Sequence, residues 1–89
     1  MNLTHGASPK PGFAVTLHDD SYEGADDEWV IQFFVEVDGP GGEAMDGEPF
    51  TGVAGPIRSH DRARQIANTA YRLIRSGSSA DEAMLAATR

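Results

Sequence analysis

The chain has no cysteine, a single lysine, three histidines and no apolar run of bilayer-spanning length. The missing cysteine excludes disulfides, thiolate catalysis and cysteine-ligated zinc. His5, His18 and His60 are scattered without the spacing of a zinc site, so no metal is expected. The first twelve residues, MNLTHGASPKPG, lack the apolar stretch of a secretion signal, which sets the expected location as the cytoplasm. Lysine is so scarce that residues 1–57 set eleven carboxylates against Lys10 alone. Residues 58–89 carry six arginines against Asp61, Asp81 and Glu82, so the two parts hold −10 and +3, which gives the net −7. That net charge is repelled by anionic membranes and by bulk nucleic acid, and it favours a basic protein partner.

At 89 residues the chain has material for one domain that buries roughly 60–65% of its unfolded surface. Residues 1–12, with Gly6, Pro9, Pro11 and Gly12, read as an irregular lead-in to a single domain over 13–89. From Phe13 the pattern alternates, with Phe13, Val15 and Leu17 on one face of a strand. In the stretch Trp29–Val37, Trp29, Ile31, Phe33, Val35 and Val37 share a face that reads as core. Val30 and Phe34 fall on the other face. The two strands are expected to form an antiparallel hairpin whose tip is the acidic loop His18–Glu28. A second turn-rich link, Asp38–Pro49, leads to a weaker third strand in Phe50–Ile57, placed at a sheet edge by Gly52, Gly55 and Pro56.

Ser59 suits a helix N-cap, and Ala63, Ile66, Ala67, Ala70, Leu73 and Ile74 follow helical spacing up to a stop at Gly77. Ser79 with Glu82 makes a capping box for a short second helix that packs through Ala80, Ala83, Met84 and Ala87. The expected fold is α+β, a small antiparallel sheet of two to three strands with one long and one short C-terminal helix on one face.

The acidic loops are the first candidate site. A protein that imitates a phosphate backbone needs carboxylates held in an ordered array, and Asp19, Asp20, Glu23, Asp26, Asp27 and Glu28 supply the density, with Tyr22 and Phe34 as apolar anchors. Glu43, Asp46 and Glu48 of the second link extend the set. Their spacing departs from an EF-hand, and the glycines of Gly39–Gly42 lack the lysine and the helix of a phosphate cradle. Ser59, His60 and Asp61 are consecutive at a helix start, so they diverge and form no catalytic relay. No cofactor and no chemistry of its own are expected. The plain alternative is that the carboxylates are a solvated surface.

The resulting expectation is a small acidic binding protein that engages a basic protein surface. By analogy of size and charge it resembles phage-type inhibitors, anti-host or anti-CRISPR, that occupy a nucleic-acid-binding groove. A competing reading is a nucleic-acid-binding or regulatory protein using the stripe Arg64, Asn68, Arg72 and Arg75, as a homodimer that enlarges the basic face. A third is a structural or assembly subunit joined through Phe34 and the weak third strand. Val53–Gly77, VAGPIRSHDRARQIANTAYRLIRSG, is similar to half of a SPOR peptidoglycan-binding repeat, in which a strand ending near Gly-Pro leads into an arginine- and alanine-rich helix. The second half of that repeat has no counterpart here, so its function is not carried over.

Overall fold

The computed structural model describes residues 2–42 and 47–89. Four strands, β1 (Asn2–Ala7), β2 (Ala14–Glu23), β3 (Trp29–Pro40) and β4 (Pro49–Ile57), precede two helices, α1 (His60–Arg75) and α2 (Ala80–Ala87). The strands form one antiparallel sheet in the order β1-β2-β3-β4. The fold is thus α+β, but with four strands rather than two to three. The added strand is β1, which lies within the stretch expected to be an irregular lead-in. Its apolar content is slight, yet a ladder to an existing strand satisfies its backbone groups, which hydrophobic patterning does not register.

The helices follow from local signals. Ser59 Oγ accepts from the Arg62 N–H at 3.2 Å, and α1 ends in a Schellman motif in which Gly77 N–H and Ser78 N–H donate to the carbonyls of Ile74 and Leu73. At α2, Ser79 Oγ accepts from the Glu82 N–H, and Glu82 Oε1 accepts from the Ser79 hydroxyl at 3.0 Å. Ala63, Ile66, Ala70 and Ile74 of α1 and Ala80, Ala83, Met84 and Ala87 of α2 are buried with Val15, Val35 and Val37 of the sheet. Ala67, Leu73, Phe33 and Phe50 pack around this cluster half-buried.

The core stops short of the hairpin. Ladder pairing of β1 ends at Asn2 opposite Asp19, and that of β4 ends at Ile57 opposite Phe33. The β2–β3 ladder runs on without a break to Glu23 opposite Trp29. Beyond Asp19 and Phe33 the sheet is therefore a two-stranded ribbon, whose strands extend about 13 Å further at roughly 3.3 Å per residue. This accounts for the elongated shape, 49 × 22 × 20 Å, and for a radius of gyration of 13.9 Å against the roughly 12 Å of a compact domain this size.

Candidate functional site

The acidic hairpin is built differently from a simple loop. Asp19, Asp20, Glu23 and Tyr22 belong to β2, so only Gly24–Glu28 turns the chain. Asp26 and Asp27 both adopt left-handed backbone angles, φ 60° and 59°, which aspartate tolerates better than most residues. The Gly24 N–H donates to the Glu28 carbonyl at 2.6 Å and closes the turn. Six carboxylates thus sit on a hydrogen-bonded ribbon. Alternation places Asp19 and Glu23 on the helix-facing side and Asp20 on the open side, where Gln32 Nε2 donates to its Oδ2 at 3.4 Å.

Trp29 and Ile31 share the face of Val35 and Val37 but project beyond the helices. They are 70% and 53% exposed, while the two valines are fully buried. This corrects the expectation that the whole Trp29–Val37 face is core. The face extends further than the layer that covers it, because β4 leaves the sheet opposite Phe33 and α1 begins there, with the His60 ring 5.0 Å from that of Phe33. Tyr22, 42% exposed, lies across from Val30 on the opposite side of the ribbon. The hairpin end is consequently an apolar wedge edged with carboxylates.

The other sequence candidates are dispersed. Phe34 faces the open side of the sheet and is half-buried, because its ring lies across Gly55; a β-carbon added there would come within 2.6 Å of Phe34 Cδ1. Glu48 is exposed at the far end of β3, about 36 Å of strand from Trp29, where the Gly41 N–H donates to its carbonyl. Glu43 and Asp46 lie outside the described residues. Glu48 therefore does not share a surface with the carboxylates of the hairpin.

On the open face, His18 Nε2 lies 3.4 Å from Glu36 Oε1, but neither ring nitrogen has a hydrogen bond of good geometry among the described residues. The two side chains are thus close together without directional bonding among the described residues. A side-chain hydrogen bond with Asp38 raises the pKa of Glu36, burial and the Asp38 charge push the same way, and His18 opposes them. Thr51 Oγ1 donates to Asp38 Oδ1 at 2.7 Å, which holds that carboxylate beside Glu36. Asp19 Oδ1, at the base of the ribbon, is enclosed without a hydrogen-bond partner among the described residues.

Arg64, Asn68, Arg72 and Arg75 run along the outside of α1, and all four are exposed. Arg72 Nη2 donates to Thr69 Oγ1 at 3.4 Å. Among the described residues none of these arginines pairs with a carboxylate of its own chain. Ser59 Oγ caps α1, and the His60 ring lies against that of Phe33. The described residues hold no group of three or more histidines and carboxylates suited to a metal, and none of their helices is long and apolar enough to cross a membrane.

The chain matches no family, none of the curated proteins and no solved structure. Sequence patterning identified the carboxylates of the hairpin but assigned Trp29 and Ile31 to the core. The available signal was the alternation itself, which continues up to the acidic turn while carboxylates and serine occupy the same face of the paired strand.

Proposed function

We propose that this protein acts by binding, with the β2–β3 hairpin as the surface that engages a basic protein partner. The observation that carries this reading is the exposure of Trp29 and Ile31 at the end of a ribbon edged by Asp19, Glu23, Asp26, Asp27 and Glu28. An apolar anchor within a charged rim is how interfaces divide labour. Buried aromatic residues supply lasting affinity, and charges supply encounter rate and orientation. A narrow, acidic, projecting ribbon also suits a groove that ordinarily holds a phosphate backbone, which makes inhibition of a nucleic-acid-binding protein the specific form of the proposal.

A tagged pull-down from native lysate after nuclease treatment tests it. The wild type is expected to retain a stoichiometric basic protein at moderate salt. Trp29→Ala with Ile31→Ser should lose that protein, and so should Asp26→Asn with Asp27→Asn. Recovery of nucleic acid, lost on replacing Arg64, Arg72 and Arg75, would instead favour the competing reading. That reading draws on the exposed arginine stripe of α1, which pairs with no carboxylate among the described residues.

A further inference from the structure

We infer that two copies of the chain form a face-to-face, two-fold dimer in which the Trp29–Ile31 face of each hairpin packs on the outer, arginine-bearing surface of α1 in the other copy. The inference rests on the binding reading of the hairpin and names the basic surface it meets as that of a second copy.

Shape is the first argument. Over most of its length the molecule is two layers thick, sheet and helices, but the ribbon beyond Asp19 and Phe33 is a sheet alone. The change in thickness is a step about one helix diameter high, roughly 10 Å. Both surfaces in question lie on the helix side of the sheet. Trp29 and Ile31 share the parity of the buried Val35 and Val37, and the arginines of α1 are exposed, Arg64 on the flank where it borders Ala7, Val15 and Leu17 of the sheet. A two-fold axis across the long dimension inverts one copy over the other, so that its α1 fills the step above the first copy's ribbon, and the reverse holds by symmetry. The missing second layer of each ribbon is thereby supplied. Such an isologous contact closes on itself and leaves neither surface free to propagate a filament.

Charge is the second argument. The ribbon face carries Asp19 and Glu23 beside the apolar pair, and the turn adds Asp26, Asp27 and Glu28. Opposite would lie Arg64, Arg72 and Arg75, which have no carboxylate partner within their own chain among the described residues. Next to these arginines, Tyr71 and Leu73 line a shallow depression with Thr69 and Arg72, which offers Trp29 and Ile31 an apolar seat flanked by guanidinium groups. Arginine over the face of an indole is itself favourable. The split of charge along the sequence, −10 against +3, becomes complementary when two copies lie antiparallel.

Sedimentation velocity across the micromolar range, with mutual mixing of variants, tests the arrangement. The wild type is expected to sediment at twice the chain mass. Trp29→Ala with Ile31→Ser, and separately Arg64→Glu, Arg72→Glu and Arg75→Glu, should each weaken the dimer by on the order of thirtyfold or more. Because all these side chains are exposed, far-UV circular dichroism should remain that of the wild type. Mixing the hairpin variant with the helix variant should produce a heterodimer, since one intact hairpin then meets one intact helix. A monomeric wild type, or a dimer that survives both sets of substitutions, would overturn the proposal. If the wild type is monomeric while the hairpin variant still loses a captured basic protein, the dimer fails and the binding reading stands. If the dimer behaves as expected and no foreign protein is captured, the hairpin serves self-association.

Discussion

Glu36 shows how one residue's surroundings can set a pH dependence. Its pKa is raised, chiefly by the hydrogen bond it makes with Asp38, so ionising it costs the folded state more than the unfolded chain. Stability from this group is complete below the ordinary carboxylate range and is lost as pH rises through that range to the raised folded value. Glu36→Gln is therefore expected to raise the melting temperature near neutral pH and to leave it unchanged in acid, where Glu36 is protonated in both states. A variant less stable than the wild type at neutral pH would mean that the His18 contact outweighs Asp38.

At the scale of elements, β3 is two strands in one, with a buried half and a half that serves as a surface. Ile74 of α1 is fully buried against the first half, while Trp29 and Ile31 on the second are exposed. Ile74→Ala should thus cost about 2–5 kcal/mol in denaturant unfolding, whereas Trp29→Ala should cost no more than about 0.5 kcal/mol, as surface substitutions do. Large losses for both would place Trp29 in the core. A two-stranded ribbon is marginal by itself, so this hairpin persists because its strands continue into a four-stranded, helix-covered sheet.

The whole molecule depends on contacts between distant parts of the chain. β1 adds a fourth strand through its ladder with β2, in register from Asn2 opposite Asp19 to Ala7 opposite Val15, with one bulge. Removing residues 1–7 should lower unfolding stability by about 2 kcal/mol or more, since each ladder hydrogen bond nets roughly 0.5–1.5 kcal/mol. An irregular lead-in would be removed without loss. The elongated outline sets the acidic, apolar hairpin at one end of the molecule and Glu48 at the opposite end of β3, so a partner bound as proposed at the hairpin does not reach Glu48.

By itself the sequence determined the helices, their caps and their inward faces, because Ser59, Ser79, Gly77 and the 3.6-residue spacing of Ala63, Ile66, Ala70 and Ile74 act within a few residues of one another. It also determined the pairing of β2 with β3 and the acidic character of their turn, since both follow from neighbouring segments. Only the tertiary structure decided that β1 joins the sheet, that the carboxylates lie partly on a strand, and that Trp29 and Ile31 are bare while Val35 and Val37 are covered. Alternation reports which side chains share a face, but whether that face is buried depends on where a distant segment ends, and here β4 and α1 meet opposite Phe33 and go no further.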